Sequence, residues 1–122
     1  MKKKLIIYST TDGHTKVICR YIEFQLQKDC KTTLISLHKL GKLNLNNFDM
    51  IILGASIRYG KHKPELYKFI KENISKLNNT ETAFFSVNAV ARNSEKNKPE
   101  TNPYMKKFLE TSMWKPLHVA VF

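Results

Sequence analysis

The chain alternates short, nearly unbroken apolar runs with longer stretches in which apolar residues return every three or four positions. "KLIIYS" at 4–9 is the first such run, rich in β-formers and bounded by a polar turn. That pattern predicts a strand covered on both faces. From Thr15 to about Lys28, Val17, Ile18, Tyr21, Ile22 and Leu26 recur at the spacing of an amphipathic helix. "TTLISL" (32–37) reads as a second strand, "GKLNLNN" (41–47) as a polar connection and "DMIILGAS" (49–56) as a third strand. Leu66, Phe69, Ile70, Ile74 and Leu77 mark a helix over 65–77, with Pro64 at its start. "TAFFSVNAV" (82–90) is a fourth strand and 91–103 a polar loop with two prolines. A short helix follows over 104–114, on Tyr104, Met105, Phe108, Leu109 and Met113. "LHVAVF" (117–122) is a fifth strand.

Strands that alternate with helices imply an α/β fold, a doubly wound parallel sheet with helices on both faces. The length of 122 residues suits a single domain, 1–122, with one core. Such domains normally cover their last strand with one more helix, and none follows Phe122 here. The expectation is a C-terminally shortened sheet with an open apolar face, where a second copy of the chain is a candidate partner.

Charge adds one constraint. The formal net charge is +11, which prompts a nucleic-acid or anionic-membrane partner. Only Arg20, Arg58 and Arg92 are arginine among the 21 basic residues, and the lysines are spread along the chain. Nucleic-acid sites favour the arginine fork, so no nucleic acid is expected. Diffuse positive charge suits peripheral contact with an anionic membrane surface. Lys, Asn and Ile are also the residues of A/T-rich codons, so part of the charge is attributable to composition. No apolar run approaches the roughly 20 residues that cross a bilayer, and the basic start is too short for a signal peptide. The expected location is the cytoplasm. Cys19 and Cys30 have no metal or redox spacing and the four histidines are scattered, so no metal site is expected.

In an open α/β sheet, ligands bind at the carboxyl ends of the strands, near the point where strand order reverses. Three loops qualify. In "STTDGHT", Ser9, Thr10, Thr11 and Thr15 offer hydroxyls, and Gly13 lets the backbone approach an anion. The helix that follows adds free N–H groups and partial positive charge. Walker and dinucleotide glycine patterns are both absent, so the guest is a monophosphate held by neutral donors. A plain helix N-cap would use the same residues. In "ASIRYGKHK", Tyr59 can stack on a flat ligand, with small residues and Gly60 beside it. In "NAVARN", Asn88 can reach a ring edge, and Ala89 and Ala91 leave room. A monophosphate at one loop and a flat heterocycle at two others is the geometry of bound FMN.

The stretches "YSTTDGHT", "FDMIILGASIRYGKHKPELYKFI", "FFSVNAVARNSEKNKPETNPYMKKFL" and "MWKP" together resemble the flavodoxin superfamily. Within it they are most similar to the flavodoxin-like, quinone-linked protoporphyrinogen IX dehydrogenases of bacterial haem synthesis. That resemblance implies a flavodoxin fold, strand order 2-1-3-4-5, and one non-covalent FMN that carries the chemistry, with no catalytic side chain. It implies six-electron oxidation of protoporphyrinogen IX to protoporphyrin IX, with electrons passed to a membrane quinone (menaquinone or ubiquinone). It places Ser9, Thr10, Asp12, Gly13, His14 and Thr15 on the phosphate loop, with Thr11 between them. Ala55, Ser56, Ile57, Arg58, Tyr59 and Gly60 fall on the first ring loop, and Asn88, Ala89, Val90, Ala91 and Arg92 on the second. Arg58 and Arg92 suit the propionates of a tetrapyrrole or the flavin pyrimidine edge. The expectation that goes with it is a peripheral position on the cytoplasmic face of the inner membrane. Such enzymes continue for roughly another third of their length, through a basic and aromatic insertion and a last helix. The alternatives are a shortened, inactive remnant of such an enzyme and an electron-carrying flavodoxin. Carriers tend to be acidic, and the charge of +11 speaks against that reading.

Overall fold

The computed structural model describes residues 2–9, 14–26, 30–41, 43–57, 62–88 and 93–122. Five strands form one parallel sheet in the order β2-β1-β3-β4-β5. They are β1 (Lys2–Ser9), β2 (Cys30–Ser36), β3 (Met50–Ser56), β4 (Glu81–Val87) and β5 (His118–Val121). The helices are α1 (His14–Leu26), α2 (Pro64–Glu72), α3 (Ile74–Asn78) and α4 (Pro103–Ser112). The expected fold class and strand order are both found.

The three inner strands explain their own sequences. Leu5, Ile6 and Ile7 of β1 are all buried, and so is every residue of β3 from Ile51 to Ser56. A strand covered on both faces has no solvent side, so its sequence is a continuous apolar run rather than an alternation. One face carries Leu5, Ile7, Ile51, Leu53 and Phe84, packed with Leu66, Ile70, Leu77, Met105 and Phe108 of α2, α3 and α4. The other carries Ile6, Ile52, Phe85 and Val87 with Cys19 of α1. The Cys19 thiol is pushed up to about 12, chiefly by burial and then by Glu23. It packs as a small apolar group in its protonated form.

Four expectations need correction. The helix expected over 104–114 ends at Ser112, and Met113, counted on its apolar face, is a left-handed C-cap residue and 77% exposed. The helix expected over 65–77 is two helices, broken at Asn73. There the Asn73 side-chain amide donates to the Phe69 carbonyl at 2.8 Å, competing with the helical ladder. The connection expected over 41–47 contains a short 3-10 turn, Leu45–Asn47, capped by Asn44 and anchored by buried Leu45. On α1, Val17 and Tyr21 do not face the core. They are 64% and 65% exposed and form a stripe with Phe24, also 65% exposed. The residues turned inward are Thr15, Ile18, Cys19 and Ile22. The apolar positions of α1 thus trace two faces, which a single periodicity does not separate. α1 packs across β2, β1 and β3. On its side of β4 and β5 the surface is filled by Phe85 and Phe122, whose rings meet edge to face at 5.5 Å.

Gly54 matters to that surface. A Cβ there would lie 2.1 Å from the tip of the Phe85 ring, its neighbour across the β3–β4 ladder. The glycine is the floor on which Phe85 lies. Replacing it, Gly54→Ala, is expected to push the ring out and destabilise the chain by about 1–3 kcal/mol, the usual cost of overpacking. Chemical denaturation of the two proteins checks this; equal midpoints would show that the ring moves freely.

Candidate functional site

The chain leaves β1 towards β2 on one side and later returns to β3 on the other. The crevice beyond the carboxyl ends of β1 and β3 is therefore the point where strand order reverses. Ser9 and Ser56 stand at these ends, with Ile57 just beyond Ser56, and Val87 and Asn88 stand beside them at the end of β4. Ser9 and Ala55 are register partners, Ser56 pairs with Val87, and the Ile57 N–H donates to the Val87 carbonyl at 3.1 Å. Of the residues expected to bind a ligand, Ser9, Ala55, Ser56, Ile57 and Asn88 come together at this edge. Thr15 lies in the first turn of α1, which His14 opens. Thr10, Thr11, Asp12, Gly13, Arg58, Tyr59, Gly60, Ala89, Val90, Ala91 and Arg92 lie outside the described residues.

Thr15 is fully buried, and its hydroxyl has no hydrogen-bond partner among the described residues. Leaving a buried hydroxyl unpaired costs roughly 1–3 kcal/mol. It sits where the first N–H groups of a 13-residue helix are themselves without helical partners. That combination is a donor set for an anion.

On the α2–α4 face of the sheet lies a polar cluster that the sequence reading did not single out. His62, which precedes α2, is 3% exposed, and its Nε2 is 2.9 Å from the Ser86 hydroxyl. The Asn88 amide donates to the same hydroxyl at 3.1 Å. Asn88 and Asn102 exchange amide hydrogen bonds, at 2.9 and 3.3 Å. Asn102 also accepts from the N–H groups of Tyr104 and Met105, capping α4, and donates to the Lys96 carbonyl. The Asn88 side chain, expected at a ring edge, is thus held inward by two neighbours. Asn102 had a legible signal, an Asn directly before a helix-opening Pro. Ser86 was visible only as a hydroxyl inside an apolar run. His62 falls within the second strand-end loop, "ASIRYGKHK", but nothing there sets it apart from its neighbours.

His62 is packed edge-on against Phe84 and Phe108, themselves stacked at 3.9 Å. Burial lowers its pKa from 6.5 to about 4, so the imidazole is neutral in the folded chain. Among the described residues no group of three or more His, Cys, Asp or Glu could hold a metal, and no helix is long and apolar enough to cross a membrane.

The fold and the three strand-end segments define a class: a flavodoxin domain matches residues 5–122, and the chain belongs to that family. Among known proteins it is 39% identical over 120 residues to the protoporphyrinogen IX dehydrogenase (quinone) of Escherichia coli. It is 41% identical over 122 residues to the protein of the same name from Leishmania major. Each match covers 98% of this chain, which spans 66% of the first relative and 53% of the second. Among solved structures, two-electron reduced Megasphaera elsdenii flavodoxin superposes with a TM-score of 0.74 at 13% identity. That superposition covers 97% of this chain and 84% of the flavodoxin.

The buried imidazole makes stability depend on pH with a defined sign. The unfolded chain takes a proton on His62 near pH 6.5, the folded chain only near pH 4. Its contribution is complete above pH 6.5 and is lost as pH falls through the window to 4, by at most ~3 kcal/mol. Denaturant titrations at several pH values should show this loss, and His62→Gln, which cannot titrate, should flatten it.

Proposed function

We propose that this chain binds FMN at the carboxyl edge of its sheet and is the flavin-binding part of a protoporphyrinogen IX dehydrogenase that uses a quinone. The observation that carries the reading is the buried Thr15 hydroxyl at the start of α1, which has no hydrogen-bond partner among the described residues. An unpaired donor beside free helix N–H groups fits the terminal phosphate of FMN without a lysine or a metal. Membership of the flavodoxin domain family and the two dehydrogenase relatives support the same reading.

In this reading Thr15 and the first N–H groups of α1 hold the phosphate, helped by Ser9, Thr10, Thr11, Gly13 and His14. Ala55, Ser56, Ile57, Tyr59 and Gly60 flank the ring from one side, and Ala89, Val90 and Ala91, with the backbone of Asn88, from the other. FMN supplies the redox chemistry, accepting electrons from protoporphyrinogen IX and delivering them to the quinone. Arg58 and Arg92 hold the propionates of the tetrapyrrole or the flavin pyrimidine edge. The diffuse charge of +11 draws the protein to an anionic membrane surface, where the quinone resides; the location is cytoplasmic and peripheral.

FMN titration followed by quenching of flavin fluorescence tests the reading. Saturable binding at micromolar or lower concentration is expected. Thr15→Val, which keeps the shape and removes the donor, should weaken it about tenfold, the value of one hydrogen bond to a charged group. No binding by the parent chain, or equal affinity in the variant, would overturn the site as drawn.

A further inference from the structure

Four buried polar residues meet at one corner of the molecule. His62 stands at the end of the segment 58–61, which β3 and Ile57 precede. Ser86 and Asn88 stand just before the segment 89–92. Asn102 opens α4 and, through the Lys96 carbonyl, holds the loop that leads there. Their hydrogen bonds run in series: His62 to Ser86 at 2.9 Å, Ser86 to Asn88 at 3.1 Å, Asn88 to Asn102 at 2.9 Å. His62, Ser86 and Asn102 are each 3% exposed or less.

Stability alone does not call for this arrangement. The same space lies against Phe84 and Phe108, and apolar side chains of similar volume would fill it without desolvating an imidazole, a hydroxyl and two amides. What an apolar filling would lack is direction. Rotamers locked by hydrogen bonds hold neighbouring backbone to a single geometry. The series lies at the carboxyl edge of the sheet and ties His62, which follows residues 58–61 in the chain, to Asn88, which precedes residues 89–92; both segments are assigned above to the flavin ring.

We propose that His62 is a positioning residue: through Ser86 it braces the Asn88–Asn102 pair and holds the ends of β3 and β4 in the arrangement that accepts the flavin. The proposal rests on the FMN reading and concerns how that site keeps its shape. His62 touches neither phosphate nor substrate in this account. Its neutral state suits the role, because Ser86 already accepts from Asn88 and its own proton can go to the imidazole.

The test uses the 122-residue chain with FMN as the probe, and two readouts. One is the flavin dissociation constant. The other is hydrogen exchange at the Ile57 and Asn88 amides, which bond to the Val87 and Phe122 carbonyls, compared with the Ile6 and Ile7 amides in the sheet interior. His62→Leu keeps an apolar filling and cuts the link. It should raise the dissociation constant and speed exchange at Ile57 and Asn88 by about tenfold each, leaving Ile6 and Ile7 unchanged. His62→Gln, which offers an amide near the position of Nε2, should return both to within about threefold of the parent. Should His62→Leu not fold, Ser86→Ala severs the same link with little change in volume and carries the same expectation. Parent-like affinity and exchange in the severed variant would overturn the proposal. So would equal losses in the Leu and Gln variants with exchange raised throughout the sheet, since that describes a core residue. Failure of the parent chain to bind FMN would overturn the flavin reading instead, and the exchange ratio would then decide the brace by itself.

Discussion

A strand buried on both faces has one place to put chemistry, and that is its end. Within the sheet, the backbone groups of β1, β3 and β4 are consumed by parallel ladders, and their side chains are consumed by two apolar layers. Polar side chains inside such a strand need a partner or are left unpaired at a cost. In this chain Ser9, Ser56, Ser86 and Asn88 gather where the strands stop, all at the same edge because all five strands run the same way. The location of the site therefore follows from the hydrophobic pattern itself, before any binding residue is considered.

This explains what was legible. Strand existence and the buried faces of α2 and α3 followed from run length and periodicity, since those signals come from burial and burial dominates the fold, whereas strand order came with the family resemblance. Leu66, Phe69, Ile70 and Leu77 are all buried, as their spacing requires, even though Asn73 splits their helix in two. The break escaped notice because Asn acts there through a local side-chain bond that periodicity does not sense. α1 misled for the opposite reason: apolar residues occur on two of its faces, and only contact with the sheet tells which is inside. The ligand edge was legible as a set of loop residues. Its internal support was not. His62, Ser86 and Asn102 lie 16 to 40 positions apart in sequence and meet only because β4 runs between α2 and α4.

The two layers of the sheet also differ in what they hold in place. The α2–α4 layer combines stacked aromatic rings with the hydrogen-bonded series ending at Asn102, so its packing is directional as well as apolar. The α1 layer is apolar and smaller, with Phe85 lying on Gly54 and closing against Phe122. The exposed stripe of Val17, Tyr21 and Phe24 runs along the same helix. The directional layer adjoins the segments assigned to the flavin ring, and the apolar layer adjoins the helix assigned to the phosphate.

That division suits the two halves of the proposed ligand. A phosphate is held by charge and by donors that come with any helix N-terminus, so the helix needs to be seated firmly but little else. Buried Thr15 and Cys19 seat α1 through ordinary packing. A flat ring is different. It is gripped by loops, which have little regular structure of their own and take their geometry from whatever anchors them. An apolar anchor allows sliding, because dispersion contacts are weak individually and not directional. A chain of short hydrogen bonds from His62 to Asn102 does not. The desolvation of four polar groups is thus placed next to the part of the site where geometry matters most, and the half that relies on electrostatics is left to a simple apolar core.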